Sequence, residues 1–301
     1  MPILALVIVL FAAMLHAVAN LFFKRGDDPS AFLWWAIAIG ALWYGAFLLA
    51  ASFVTCATST CLLLVSDWLM PRETWVVFIP SALAEIAYVR LITFGYANGD
   101  LSQVYPIARG APLLLIPLFG AMFLGEHLSP SGYAGIALLL AGIYLASLPA
   151  LNDWTRPLRA LKHRPTQIAL LAALCVTAYT LLDKIGVRYA QPLAYNWWVY
   201  ASIAIGYAPF VWSRAHRAHT AREFRLNARR IGMASIATVG SYLAALIALQ
   251  MTAASYVGAV RATSVVIGAL LGWLVLKEQL GAARVLAAAT MVVGLLLMAG
   301  A

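Results

Sequence analysis

Stretches of roughly 20 residues with almost no charged side chain follow one another along the whole chain, and this pattern leaves few folds open. A helix needs about 20 residues to cross the hydrocarbon core of a bilayer. The 301 residues are 64% hydrophobic and 10% charged, which is more apolar surface than a soluble core buries. Runs such as LLLIPLFGAMFLG lack the alternation of membrane β-strands. The sequence therefore predicts an all-α membrane protein.

The apolar stretches predict ten membrane-spanning helices. The first of them lacks the charged start and cleavage pattern of a signal peptide, so we expect it to remain in the mature protein. The predicted spans are 3–23, 31–52, 73–97, 101–124, 130–149, 166–185, 193–212, 230–250, 254–276 and 280–300.

The two halves of the chain repeat one another. At one constant interval Arg109, Gly120, Leu124, Glu126, Leu128 and Gly142 are followed by Arg261, Gly272, Leu276, Glu278, Leu280 and Gly294. Lys24 and the pair Trp34-Trp35 have counterparts in Lys184 and Trp197-Trp198. An internal duplication explains these echoes. We expect one five-helix repeat over residues 1–149, a basic linker over 150–165 and a second five-helix repeat over 166–301.

The odd number of spans in each half decides their relative orientation. A second half of five spans enters the membrane from the opposite face, so the two repeats are inverted with respect to each other. Inverted repeats are typical of transporters, in which two similar bundles exchange roles around a site near mid-membrane.

With these features the chain resembles the EamA-type members of the drug/metabolite transporter superfamily. The similar segments are HAVANLFFK (16–24), GDLSQVYPIARG (99–110), GEHLSPSGYAGIALLLAGIYL (125–145) and LKEQLGAARVLAAATMVVGLLL (276–297). The resemblance implies a ten-helix carrier that exports or imports small metabolites, with a cavity lined by both repeats. It is specific to the fold and weak on the substrate.

Arg109 and Arg261 lie well inside predicted spans, where an unpaired charge costs several kcal/mol or more. One hypothesis makes them a basic pair that holds an anionic or zwitterionic substrate. The alternative is a structural ion pair or a clamp on backbone carbonyls. Glu85, near the middle of the third span with Tyr88 on the same helical face, is interpreted as a carrier of a coupling proton or as the partner of Arg109.

His16, Asn20 and Lys24 fall on one face of the first span, at spacings of four residues. This face points to protein or water, and Tyr179, Thr180 and Asp183 take the similar place in the sixth span. We list His16, Asn20 and Tyr179 as substrate-binding candidates beside Arg109, Arg261, Glu85 and Tyr88. Interhelical hydrogen bonding is the alternative for His16, and Lys24 and Lys184 are predicted to snorkel to the interface.

Other polar residues are predicted to shape the helices. Pro106 and Pro112 each remove a backbone donor, which predicts a bent or broken fourth span around Arg109. Glu126 and Glu278 are interpreted as structural caps at span ends. Residues 53–72 are predicted to form a loop with an interfacial segment, and the arginine-rich residues 213–230 a solvated anchor at the lipid surface. The tryptophan pairs are interpreted as an interfacial belt.

Several functions and partners are excluded or left open by the sequence. Its charge of +9 sits mainly between spans, and no nucleic-acid motif, P-loop, HExxH or GxSxG is present, so we predict neither an enzyme nor a cofactor nor a metal. Cys56, Cys61 and Cys175 indicate no disulfide framework. We expect a small-molecule substrate and the plasma (inner) membrane. A flippase for phosphate-bearing lipids, a membrane-embedded enzyme, a coupling proton and a homodimer stay open.

Charge and family resemblance disagree about orientation. The basic residues gather in the connections after spans 1, 5, 7 and 9, which predicts that this face is cytoplasmic and both termini are outside. The resemblance implies termini inside.

Overall fold

The computed structural model describes residues 1–23, 26–57, 65–98, 101–146, 148, 163–276 and 282–300. The regular structure in these residues is helical, which confirms the predicted all-α class. The helices are α1 Ile3–Phe23, α2 Pro29–Ala57, α3 Val65–Leu69, α4 Arg72–Asn98, α5 Leu101–Leu124, α6 Pro130–Ala146, α7 Arg164–Gly186, α8 Pro192–Val211, α9 Arg217–Met251, α10 Ala254–Ala262, α11 Ser264–Leu276 and α12 Ala282–Ala299.

The helices have the length and surface of membrane spans. Among the described residues, five helices (α1, α2, α4, α7 and α9) are long and apolar enough to cross a membrane, and shorter apolar segments lie in α5, α6 and α12. Large apolar side chains point outward from them, and Leu42, Phe53 and Ile205 are each about three-quarters exposed. A helix satisfies its own backbone polar groups, so such surfaces suit lipid. The chain is therefore a multi-pass membrane protein.

Two predicted non-helical regions are partly helical. Helix α2 continues to Ala57, because Thr55 returns its hydroxyl to the Ala51 carbonyl (2.8 Å) and the apolar Phe53 and Val54 stay outside. The short helix α3 follows within the region predicted as a loop, and residues 58–64 lie outside the described part. The arginine-rich segment is also helical, because α9 begins at Arg217 rather than at residue 230.

Asn227 divides α9 into an interfacial part and a spanning part. Its backbone is not helical (φ −121°, ψ 15°). Before it, the arginines are exposed, but Glu223 is only 2% exposed and accepts hydrogen bonds from the Asp28 amide (2.9 Å) and the Asn227 side chain (2.7 Å). One face of the predicted anchor therefore docks on the connection between α1 and α2.

The interruption in a spanning helix occurs in the second half and not where the prolines predict it. Helix α5 runs without a break through Pro106 and Pro112. Membrane helices tolerate proline where neighbouring groups satisfy the backbone atoms that it leaves without a partner. The predicted span 254–276 is instead divided at Thr263 into α10 and α11, and the Thr263 hydroxyl bonds to the Val260 carbonyl (2.6 Å).

The halves of the chain are interleaved. The strongest packing joins α4 to α7, α1 to α9 and α6 to α12, and α2 lies against α8 and α9. Helix α5 packs on α7 and α10. A side chain that lies between two packed helices therefore contacts residues of the other half.

The tryptophan pairs make interhelical hydrogen bonds, which the belt interpretation did not include. Trp34 donates its indole N–H to the Ala204 carbonyl (2.8 Å), and Trp197 donates to the Ala41 carbonyl (3.0 Å). These two bonds join α2 and α8. Trp35 and Trp198 donate to Thr220 and Trp68 at the interfacial segments (2.9 and 2.7 Å).

Candidate functional site

A cavity of about 140 Å³ lies between the two halves, with walls from α1, α2, α4, α5, α7, α8, α9 and α10. It brings together every residue listed from the sequence as a substrate-binding candidate: His16, Asn20, Glu85, Tyr88, Arg109, Tyr179 and Arg261. Helix packing across the halves explains this meeting, since these residues come from five helices. Their contact with a substrate stays a prediction.

Arg109 on α5 reaches His16 on α1. A guanidinium nitrogen of Arg109 lies within hydrogen-bonding distance of His16 Nε2. Arginine has donors only, so Nε2 accepts and His16 is neutral in this arrangement, with its proton on Nδ1. The bond aims the Arg109 fork at the cavity and fixes the ring.

Arg261 lies at the end of α10, next to the interruption at Thr263. Its guanidinium carbon is 5.5 Å from the centroid of the Tyr242 ring, which is a cation–π geometry. Such a contact steadies the cation while leaving the N–H donors of the guanidinium available to a ligand.

Two carboxyl groups meet at one tyrosine. The Tyr242 hydroxyl on α9 lies within hydrogen-bonding distance of Glu85 Oε1 and of Asp183 Oδ2. Asp183 Oδ1 also accepts from Ser81 (2.5 Å) and Tyr195 (2.7 Å). Glu85 and Asp183 are 3% and 1% exposed. Glu85 thus bonds to Tyr242 and Arg109 bonds to His16. The pairing of Glu85 with Arg109, one of the two roles suggested for Glu85 from the sequence, stays a prediction.

Asp183 and Tyr242 are site residues that were not predicted from the sequence. Asp183 was noted only as a neighbour of Tyr179, and its place beside Lys184 at the end of an apolar stretch is typical of a helix end. Tyr242 lies in an apolar stretch where a tyrosine carries no distinct signal. The available signal was Asp183 itself, since a carboxylate one turn inside a predicted span needs a partner.

A second, smaller cavity of about 40 Å³ adjoins the first. Arg109, Tyr179, Tyr242 and Arg261 line both of them. The larger cavity reaches Phe23 and Leu33, where α1 ends and α2 begins, which is the end of the bundle that carries the exposed arginines of α9. We call this the basic end. The smaller cavity reaches Leu249 and Val257 at the opposite end.

The opposite end is held by two charged caps. Lys184 donates to the carbonyls of Leu249 and Thr252 (2.5 and 2.8 Å), so it caps α9 and does not simply snorkel. Glu126 accepts from the amides of Ala254 and Ser255 (2.6 and 3.1 Å) and from the Ser255 hydroxyl (2.6 Å). The cap predicted for Glu126 therefore lies on α10 of the other half. Lys24 and Glu278 lie outside the described residues.

Nothing in the described part of the chain suggests a bound metal. No group of three or more histidine, cysteine, aspartate or glutamate side chains there has the geometry of a metal site.

Residues 166–300 match the model of the EamA-like transporter family. The chain is also similar to a Sinorhizobium sp protein described as an uncharacterized transporter in the cobO 3' region. The two are 27% identical over 111 residues, which cover 34% of this chain and 75% of that protein. The chain also has the same fold as a protein of known crystal structure. The two superpose with a TM-score of 0.69 at 17% identity, over 98% of this chain and 96% of the other.

The apolar helices and these matches define the class as a multi-pass membrane transporter. The match of residues 166–300 to the EamA-like transporter family confirms the resemblance stated from the sequence motifs.

Proposed function

We propose that the protein is a secondary carrier that moves a small anionic or zwitterionic metabolite across the plasma (inner) membrane by alternating access. The observation that carries the proposal is the placement of Arg109 and Arg261, one from each half, on the wall of one cavity between the halves. A guanidinium grips a carboxylate or phosphate with two parallel hydrogen bonds, and it does so most strongly out of bulk water.

Alternating access requires two halves that exchange roles, and reciprocal contacts support an inverted repeat of residues 1–149 and 166–301 around the linker 150–165. Trp197 and Ala204 follow Trp34 and Ala41 by the same interval. Each tryptophan donates to the alanine of the other half. The packing of α4 on α7 and of α1 on α9 is reciprocal in the same way, third helix on first helix. In this scheme α10 and α11 form the ninth of ten spans.

The conformation favours access from the basic end. The larger cavity reaches that end, whereas the caps made by Glu126 and Lys184 join helices at the opposite end. With the basic end in the cytoplasm, as charge predicts, this is an inward-facing state.

The test is a thermal-shift screen of the purified protein against metabolites grouped by charge. Anionic or zwitterionic compounds are expected to stabilise it, by about 2.7 kcal/mol at 100 times the dissociation constant. Arg109→Lys and Arg261→Lys keep the cation but lose the planar fork, so we expect about tenfold weaker binding or more. Arg188→Lys, at an exposed position in the turn after α7, is the matched control.

Two results would contradict the proposal. Stabilisation by cations alone would exclude an anion site, and equal stabilisation of the parent and both arginine variants would place the ligand elsewhere. Reconstitution of the protein in vesicles then distinguishes a metabolite carrier from a flippase. Translocation of phosphate-bearing lipids without uptake of a stabilising metabolite would favour the flippase.

A further inference from the structure

Anion binding by the arginines leaves the cluster of Glu85, Tyr242 and Asp183 without a role. The three side chains come from α4, α9 and α7, so both halves contribute. Glu85 lies at the middle of α4 and Asp183 near the end of α7, and both carboxyls are almost out of contact with solvent. A pair of buried acids of this kind is costly unless the site uses it.

The hydrogen bonds at Tyr242 indicate whether the two carboxyls of the cluster carry a proton. A phenol has one hydrogen, so it donates to one carboxylate only. Its oxygen is within hydrogen-bonding distance of both Glu85 and Asp183. The second contact needs a hydrogen from the other partner, which means that at least one of the two carboxyls is protonated.

The surroundings place that proton on Glu85. Asp183 receives hydrogen bonds on both oxygens, from Ser81 and Tyr195 on one and from Tyr242 on the other, as an ionised carboxylate requires. Glu85 Oε2 is buried and has no hydrogen-bond partner among the residues that the structure describes. An unpartnered oxygen costs less on a neutral acid than on a carboxylate.

The cluster also connects the two cavities. Glu85 lines the larger cavity and Asp183 lines the smaller one, while Tyr242 lines both and bonds to both acids. The two acids therefore face opposite ends of the bundle with one phenol between them.

We propose that this cluster is a proton-binding site and relay, in which Glu85 takes a proton from the basic end and Tyr242 passes it to Asp183. Glu85 Oε1 gives its proton to the Tyr242 oxygen while the phenol hydrogen goes to Asp183 Oδ2. One O–H bond breaks and one forms at the tyrosine, which stays neutral. Glu85 becomes the carboxylate and Asp183 the acid, so the cluster keeps the same charge.

The site links proton binding to the substrate, and this step rests on the proposed function. Among the described residues, the charged groups that line the larger cavity with Glu85 or share Tyr242 with it are Arg109, Arg261 and Asp183. His16 accepts from Arg109 and is neutral, and the phenols of Tyr88, Tyr179, Tyr200 and Tyr242 also line this cavity. With Glu85 protonated the set carries one net positive charge, and with Glu85 ionised it carries none. An anion therefore binds better to the protonated protein, and by reciprocity it strengthens proton binding. The carrier is a proton–anion symporter.

Infrared difference spectroscopy, which compares the purified parent with each variant, tests the site. The spectra are recorded without substrate and in sodium-free choline buffer. At neutral pH the parent is expected to show the carbonyl band of one protonated, hydrogen-bonded carboxyl. Glu85→Gln should abolish this band and Asp183→Asn should retain it. Tyr242→Phe should shift it to the frequency of an unbonded acid. Glu73→Gln, at an exposed position on α4, should leave it unchanged.

Three results would overturn the relay. They are a neutral-pH spectrum without a protonated carboxyl, a band lost in Asp183→Asn but kept in Glu85→Gln, or loss of the band on adding sodium, which would indicate a metal cation as the ligand. Because no substrate is used, the arginine-dependent anion site stands or fails separately. The thermal melts of all variants confirm that they are folded.

Discussion

Gly135 on α6 is a residue at which a single methyl group decides the packing of two helices. A Cβ atom there would lie 2.7 Å from the Gly294 carbonyl oxygen of α12 and 2.5 Å from the Met298 side chain. Backbones in membrane bundles approach closely where small residues face each other. The backbone oxygen cannot turn aside as a side chain does, so the helices must separate.

We predict that Gly135→Ala lowers the free energy of unfolding by about 1–3 kcal/mol, the usual cost of overpacking. The measurement is the melting temperature of the purified protein. Gly232→Ala is the matched control, since a Cβ atom at Gly232 in α9 meets nothing within 4 Å. Alanine is also the better helix former, so this control should be neutral or slightly stabilising. Equal losses in both variants would contradict the packing argument.

The location of the site residues could be predicted from the sequence, but their partners could not. Charged and polar side chains within apolar stretches are conspicuous, and those chosen from the sequence all line the larger cavity. Their pairing could not be foreseen, because His16 bonds to Arg109 and Glu85 to Tyr242 only through the packing of α1, α4, α5 and α9. Depth in a span is readable from sequence, whereas rotation toward a given neighbour is set by helix packing.

Among the helical elements, the start of α10 depends on a residue of the other half. Gly125, at φ +63°, ends α5, and the Glu126 amide returns to the Gly120 carbonyl (3.1 Å). This turn directs the Glu126 side chain to the first amides of α10. A carboxylate there satisfies free donors and interacts favourably with the helix dipole.

We predict that Glu126→Gln destabilises the protein by about 1 kcal/mol, since the charge is lost and one acceptor remains. Ser255→Ala removes only the hydroxyl bond and should cost less. The free energy of unfolding in detergent, from denaturant titration, ranks the two. His127→Gln, at the exposed neighbouring position, should have no effect. A Glu126→Gln protein as stable as the parent would show that the cap contributes nothing to the fold.

Helix centres followed from hydropathy, but several helix ends and one interruption did not. The arginine-rich segment before residue 230 has too many charges for a span. It is nevertheless helical from Arg217 onward, and one face of this helix docks through Glu223. Proline predicts a break where a backbone donor is missing, yet α5 continues through two of them. The actual interruption, at Thr263, coincides with a local hydroxyl bond, but Thr177 makes a comparable bond inside an intact helix, so the sequence does not mark the break.

Across the whole molecule the charge distribution predicts the orientation in the membrane. The exposed arginines of the first part of α9 lie at the basic end, and the connection after α7 lies at the opposite end. Basic connections remain in the cytoplasm during insertion.

We predict that Ala218→Cys, in a variant without Cys56, Cys61 and Cys175, is not modified by an impermeant thiol reagent until the cells are permeabilised. Tyr189→Cys is the control for the opposite end, and it should react in intact cells. Both positions are exposed. Modification of position 218 from outside would contradict the predicted orientation and would indicate that both termini are in the cytoplasm.

The contact of Gly135 with Gly294 has an evolutionary consequence if the halves descend from one gene. An ancestral half-length chain would have put the same glycine face against a second copy inserted the opposite way. The Sinorhizobium sp relative, three-quarters of which matches a third of this chain, is under half as long. In a pair of identical chains every change appears twice. Duplication of the gene would remove that restriction: next to the matched Lys24 and Lys184, position 183 is an aspartate where position 23 is a phenylalanine. Unequal halves of this kind can evolve only once two copies of the gene exist.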